Sequence, residues 1–409
     1  MKLLTVDTIG EARKKLLNCA KNLSPGIEII PVYENINNRV LANDIYSPED
    51  IPSFRRSAVD GYALIAADSA GAGEAAPVFL HLAGAVEMGK AADLSLRRGE
   101  CAYVPTGGML PGGADAMAMV EYCEPCGNEI AVYESAAVGN HVIRIGEDAR
   151  QGALLLARGV KIRAHETGAL AAAGITDVPV YKPLRMYIIS SGDELAPPAA
   201  AAGPGQIRDI NTHALRALAE ENGYSITGTQ VLKDDTDALE TTVRNAMPAN
   251  DIVVLSGGSS QGTKDLTEQT FSRIARPGVF THGLAIKPGK PSILGFDEAS
   301  NTILAGLPGH PVSALMVFRV LFSWLYRQLS GQGEPFPVPA RLSCNIAGAP
   351  GRTTYQPVRL RACEKSYIAE PVFGKSGAIS TLTNADGYIV IDLNTEGLRE
   401  GELTEVFLF

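Results

Sequence analysis

Between residues 184 and 329, apolar runs of strand length alternate with helical patterns, and this alternation fixes the architecture. Strands that alternate with helices are joined by right-handed crossovers into a mainly parallel, doubly wound sheet covered on both faces. Strands are expected at residues 184–189 (LRMYII), 225–231 and 251–255 (DIVVL). Helices are expected at 211–222 before Gly223, at 235–247, from Lys264, and at 311–329, the last apolar almost all round. The run DIVVL empties into SGGSSQGTKD, where Gly257, Gly258, Ser259 and Ser260 expose backbone amides at a strand's carboxyl end, the edge at which open α/β sheets bind ligands. Gly257 and Gly262 have P-loop spacing, but Thr263-Lys264 stands where Lys-Ser/Thr is required, which excludes an ATPase of that type.

Other strand ends carry similar chemistry. Ser190, Gly192, Asp193 and Glu194 lie in SGDEL, where two carboxylates need a metal, donors or water. Arg208, Asp209 and Asn211 (IRDIN) precede a helix and suit the sugar or phosphate of a nucleotide, with Asn211 also able to cap. Lys287 and Lys290 sit on a proline-bounded turn, KPGKP, that keeps them off a regular ladder and preorganises them for an oxyanion. Pro308, Gly309, Pro311 and Ser313 belong to LPGHPVS, a helix start suited to an anion; the simplest role for His310 is that of a turn histidine.

The rest of the 409-residue chain suits several domains. Asp7 can cap a first helix ending near Ser24-Pro25-Gly26, residues 27–46 read as extended, and residues 47–145 read as a β-rich unit. Residues 163–173 form a short helix returning to the first region, and the alternation beyond the Pro/Gly-rich segment 331–340 reads as a compact β-barrel. The six cysteines are neither disulfide-dense nor a zinc set, and Cys123-Glu124-Pro125-Cys126-Gly127-Asn128 reads as a hairpin. A net charge of −9 argues against nucleic-acid binding. No apolar run spans a bilayer and the amino terminus carries no signal pattern, so a cytoplasmic enzyme is expected.

Taken in order, SAVDGYA, PTGG with PGGADA, IRIGEDARQG, SSGDEL, IRDIN, SGGSSQGTKDL, KPGKP and LPGHPVSA resemble the molybdopterin molybdenumtransferase family, the MoeA type that includes the E domain of gephyrin. The resemblance implies four domains: a discontinuous extended domain (1–46 and 146–183), a β-rich insertion (47–145), a three-layer α/β/α domain of MogA type (184–332) and a C-terminal β-barrel (333–409). It implies a homodimer whose pocket lies between the α/β domain of one subunit and the insertion of the other. The implied reaction transfers molybdenum from molybdate to adenylylated molybdopterin with release of AMP and uses Mg²⁺, and the implied transient partner is a molybdopterin adenylyltransferase. Carried over by position, the acidic set falls on Asp60, Asp148, Glu194, Asp234 or Asp235, and Asp265, with Thr106 beside them, and the metal ligands on Asp60, Glu194 and Asp265. Lys287, Lys290, Ser313, Arg352 and Ser376 fall where the family handles the oxyanion or substrate phosphates. His310 stands where the family often has asparagine, and Ser-Ser-Gln-Gly where it more often has Val-Ser-Val-Gly; both touch ligand geometry, including molybdate against tungstate. A non-catalytic dimeric scaffold, a tungstate-inserting paralogue and another α/β enzyme acting on a nucleotide or pterin are the competing readings.

Overall fold

The computed structural model describes residues 6–34, 36–257, 263–364 and 366–409, the side chains of residues 263–265 excepted. Its centre is a six-stranded sheet in the order Tyr224–Leu232, Leu184–Ser191, Ile252–Gly257, Thr302–Pro308, Ile293–Asp297, Pro277–His282. The first four strands are parallel, and Ile293–Asp297 runs antiparallel to both of its neighbours. Ile252 to Ser256 are all buried, as a continuous apolar run in a doubly covered sheet requires. Ser191 pairs with Gly257 and Gly257 with Pro308, so three strands end level with one another. The chain leaves Leu184–Ser191 to add Tyr224–Leu232 on one side and then returns to add Ile252–Gly257 on the other. The strand order therefore reverses at Ser190 and Ser256, opening a crevice at the carboxyl edge.

The apolar helix behind this edge departs from the sequence expectation. Helix Pro311–Phe318 passes through a π-helical turn, Arg319–Ser323, into Trp324–Ser330 and stops at Gly331 in the left-handed conformation (φ 69°). A wide turn frees backbone carbonyls, and distant side chains take them. Arg13 donates to the Val320 carbonyl from Nε at 3.0 Å and Nη2 at 2.8 Å, and the Tyr224 hydroxyl donates to the Phe322 carbonyl at 2.7 Å. The Arg13 guanidinium also lies 4.7 Å from the centre of the Trp324 ring. Arg13→Ala is expected to destabilise this junction by about 2–3 kcal/mol, the sum of a charge-assisted bond and a cation–π contact. The check is the urea midpoint of the variant against wild type and Arg13→Lys, with lysine recovering only part.

Arg13 belongs to helix Ile9–Cys19, whose cap is Thr8 rather than the expected Asp7. Thr8 and Glu11 form a reciprocal capping box, while Asp7 Oδ2 accepts from Lys15 Nζ and Thr281 Oγ1, each at 2.6 Å. The helix ends at Cys19 and continues as a short 3₁₀ turn, Ala20–Asn22, before Ser24. Ile27–Pro31 pairs with Asp177–Tyr181, and Ile45–Tyr46 with Leu154–Leu156, so segments on either side of the β-rich unit pair with each other. Helix Ala164–Ala172 buries Leu170 against Ile36, Leu41 and Val180 of the same layer.

The β-rich unit is a sheet ordered Ala116–Met119, Gly61–Leu64, Glu100–Val104, Val78–Ala85, Glu129–Val132, Cys123–Cys126. Its last two strands are the expected hairpin, turning at Gly127 (φ 66°) and Asn128. All six cysteines are free, and burial pushes the thiols of Cys101 and Cys123 up to about 12 and about 11. Cys101 and Cys123 are therefore inert core thiols.

At the C-terminus, Thr353–Cys363, Ser366–Pro371, Val338–Leu342, Leu403–Leu408 and Gly387–Ile391 pair in a closed ring, a five-stranded barrel. The prolines of KPGKP do not keep Lys287 out of a ladder as expected. Ile286–Lys287 adds a two-residue parallel bridge to Thr353 and Thr354 of the barrel, which carries both lysines to the seam between barrel and α/β unit. Among the described residues, no helix is long and apolar enough to cross a membrane.

Candidate functional site

The level strand ends create a cavity of about 260 Å³ lined by Ser190, Ser191, Glu194, Leu195, Ile207, Arg208, Asp209, Ile210, Asn211, Ser256, Gly257, Gly309, His310, Pro311 and Gly377. Asn211 stitches its floor. Its Nδ2 donates to Ser256 Oγ at 2.8 Å and to the Gly309 carbonyl at 2.8 Å, joining two strand ends. Asn211 is therefore not the helix cap. Asp209 Oδ1 accepts from the Thr212 N–H at 3.1 Å instead, and Thr212 Oγ1 donates to Ser190 Oγ at 2.7 Å. Asp209 Oδ2 and Asn211 Oδ1 are buried with no partner. Both residues line the cavity, and leaving such acceptors unpaired costs about 1–3 kcal/mol each.

Beside this cavity lies a carboxylate group built from SGDEL and from the end of strand Tyr224–Leu232. Burial raises the Asp234 carboxyl above its ordinary value, opposed by a hydrogen bond from Ser191, and the charges of Asp193 and Glu194 raise it further. Asp234 Oδ1 is buried without a partner. Asp235, its neighbour, caps helix Thr236–Ala246 by accepting from the Ala238 N–H at 2.9 Å, so the site residue of this pair is Asp234. The Glu194 carboxylate packs over Gly192, where a Cβ would meet its Oε2 at 2.6 Å. Hard oxygen donors with one unpaired atom fit Mg²⁺. Among the described residues, no three His, Cys, Asp or Glu side chains converge on one point. Arg208 is exposed and its Nε donates to the Pro198 carbonyl at 3.1 Å.

A second cavity of about 470 Å³ lies at the seam with the barrel. Lys287, Lys290 and Arg352 line it together with Ser313, Thr354, Tyr355, Phe373, Ser376 and Thr381, and no carboxylate does so among the described residues. Gly289 (φ 110°) lets the lysine turn pack closely, since a Cβ would meet Val317 Cγ2 at 2.4 Å. Burial pushes the Tyr355 hydroxyl up to about 12, so it remains a proton donor at neutral pH. Thr354 Oγ1 is buried without a partner. Three cations and several hydroxyls around one space suit an oxyanion.

The two cavities meet at the LPGHP turn. His310 lines both, and its Nδ1 lies 2.8 Å from Ser376 Oγ. Pro311 occupies the first turn of its helix, as expected, and the Val312 N–H donates to the Ser376 carbonyl at 3.1 Å.

The acids of the β-rich unit line neither cavity. Asp60 Oδ1 accepts from the Thr106 N–H at 2.8 Å, and the segments around Ser57 and Gly108 exchange backbone bonds, so SAVDGYA and PTGG lie together with Asp60 and Thr106 exposed. Asp148 is exposed on the turn after Gly146 (φ 67°), and its N–H donates to the Ile51 carbonyl at 2.9 Å. Asp60 and Glu194 thus belong to different surfaces of the single chain. Gly258, Ser259, Ser260 and the side chain of Asp265 lie outside the described residues.

Comparison with known proteins matches residues 8–174 to the MoeA N-terminal region (domain I and II), residues 187–327 to a probable molybdopterin binding domain, and residues 339–409 to the MoeA C-terminal region (domain IV). A putative molybdopterin biosynthesis protein of Methanocaldococcus jannaschii is 33% identical over 91% of this chain and 89% of its own length. The chain belongs to the MoeA family. A molybdopterin molybdenumtransferase of Haemophilus influenzae is 30% identical over 98% of both chains. A crystal structure of a molybdopterin biosynthesis MoeA protein from Pyrococcus horikoshii OT3 superposes with a TM-score of 0.83 at 29% identity, covering 99% of this chain and 100% of that one. The three-layer α/β unit, the β-rich units and the closed barrel described above are the MoeA architecture.

Sequence reasoning missed three residues of this MoeA-family site. Ser191 faces Asp234, Ser256 bonds Asn211, and Tyr355 lines the cationic cavity. The two serines could have been found, because each is a hydroxyl at the carboxyl end of a buried apolar strand. Tyr355 carried no local signal.

Proposed function

We propose that this chain transfers molybdenum from molybdate to adenylylated molybdopterin and releases AMP. The observation that carries this reading is the adjacency of two unlike cavities at one turn. One offers buried acceptors beside carboxylates, suited to an N–H-bearing heterocycle and a metal-bridged phosphate; the charged residues lining the other are all cations, suited to a tetraoxo anion. Asn211, Asp209 and Ser256 orient the nucleotide-linked pterin, and Lys287, Lys290, Arg352 and the Ser313 and Ser376 hydroxyls hold molybdate near the acceptor. Positioning and charge complementarity do the work, with no covalent enzyme intermediate.

Mg²⁺ would be held by Asp234 with one of its neighbouring acids, Asp193 or Glu194, and would supply charge neutralisation at the phosphoanhydride. Ionised Asp234 is a liability in the metal-free fold. A carboxyl raised on folding contributes stability below its unfolded value and loses it as pH rises through the folded value. At pH 7.5 without metal, Asp234→Asn is therefore expected to melt at or above the wild-type temperature. Millimolar MgCl₂ should raise the wild-type midpoint and leave the variant's unchanged. A variant stabilised as much as wild type removes Asp234 from the metal set.

Asp60, Thr106 and Asp148 enter the reading through a second copy of the chain, whose β-rich unit faces the cavities. The test is AMP release from adenylylated molybdopterin. It should require molybdate, fall steeply in folded Asp60→Ala, and partly return when Asp60→Ala is co-assembled with Lys290→Ala, because one mixed site is then intact. Release that ignores molybdate sinks the proposed reaction, and a mixture no better than its components sinks the shared site.

A further inference from the structure

The turn residue His310 has a place that neither cavity alone explains. It stands on the α/β side of the seam, while its hydrogen-bond partner Ser376 belongs to the barrel, in the loop between strand Ser366–Pro371 and helix Ser380–Thr383. That loop has two attachments to the turn: the Val312 N–H holds the Ser376 carbonyl, and His310 Nδ1 meets the Ser376 hydroxyl at 2.8 Å. The imidazole lies along Gly377, where a Cβ would sit 3.7 Å from its Cδ2 and 3.9 Å from its Nε2. His310 itself is fixed at φ −72°, ψ 125° ahead of Pro311.

We propose that His310 is a positioning residue for the oxyanion: it fixes the Ser376 hydroxyl at the partition between the two cavities and so sets which anion the cationic cavity grips. This rests on the reading of that cavity as the molybdate site. The physical reason is proton bookkeeping at one oxygen. A serine hydroxyl has a single proton, and an anion can use it only if the neighbour donates to Oγ rather than accepting from it. Nδ1–H of His310 does so, leaving the Ser376 proton for an oxygen of the anion. The charged side chains Lys287, Lys290 and Arg352 attract any dianion, whereas a fixed hydroxyl discriminates by the position of an oxygen, and therefore by anion size.

The experiment is calorimetric titration of molybdate and of the smaller sulfate into full-length wild type, His310→Ala, His310→Asn, His310→Gln, Ser376→Ala and the His310→Ala/Ser376→Ala double variant. His310→Ala and Ser376→Ala should each weaken molybdate by about tenfold while changing sulfate little, the size of one hydrogen bond to a charged group. The double variant should be no weaker than either single one, since both remove the same contact. His310→Asn, which carries a donor in the place of Nδ1, should bind within about threefold of wild type, whereas His310→Gln, whose donor lies further out, should resemble alanine. Additive losses, an unaffected His310→Ala, or a His310→Asn as weak as alanine each overturn the inference alone. Wild type that binds no molybdate overturns it together with the proposed function.

Discussion

Replacing Lys287 and Lys290 together by alanine is expected to lower molybdate-dependent AMP release by about a hundredfold or more, the usual cost of removing charge donors from a preorganised oxyanion site. Stability should change little. Both side chains are exposed and neither forms an ion pair among the described residues, so no carboxylate is left orphaned by their removal. Raising molybdate should recover part of the loss, because Arg352 and the hydroxyls of Ser313 and Ser376 remain to hold the anion weakly. The measurement is the steady-state rate against molybdate concentration, beside a melting curve. A double variant with wild-type rates at limiting molybdate would mean that the cationic cavity serves something else.

Gly61→Ala should be the most damaging small change in the β-rich unit. Gly61 pairs with Val104 on one side and Met119 on the other, and a Cβ there would lie 2.0 Å from the Ala118 carbonyl oxygen. The obstacle is backbone, so no side chain can swing away; the strands must part or the sheet must lose its register. A loss of about 3 kcal/mol is expected, at the upper end for overpacking. Asp60, one residue earlier, would move with the strand and lose its bond from the Thr106 N–H. The control is Gly73→Ala, where nothing lies within 4 Å of the added methyl and stability should hold within about 0.5 kcal/mol. Hydrogen exchange in Gly61–Leu64 and Ala116–Met119 checks the difference. Equal protection in both variants would show that the VDGY glycine is not needed for close approach.

The clustering of SGDEL, IRDIN and LPGHP around one crevice was legible because parallel strands share a carboxyl edge, and a run such as Ile252 to Ser256, buried on both faces, announces that edge without knowledge of its neighbours. The barrel was legible from alternation alone. What escaped was decided by residues far apart in sequence. The π turn at Arg319–Ser323 depends on Arg13 and Tyr224 to take its carbonyls, and nothing within the apolar helix signals them. The bridge from Ile286–Lys287 to the barrel depends on a strand that follows tens of residues later. The capping errors have a different origin: Asp7 and Thr8 are both competent caps, and so are Asp209 and Asn211. The Glu three residues after Thr8 was the available signal for the first, while the second was settled by the pull of two strand ends on the Asn211 amide. Between Asp234 and Asp235, helix start and site compete in adjacent positions, and only the packing of Asp234 against Ser191 separates them.

The most direct measurement is an anomalous difference map at the molybdenum edge from crystals soaked with molybdate and AMP. The expected result is a molybdenum peak among Lys287, Lys290, Arg352 and Ser376, with AMP in the adjoining cavity against Asn211 and Ser256. A dominant peak elsewhere, or molybdenum and nucleotide in cavities that do not adjoin at His310, would contradict it.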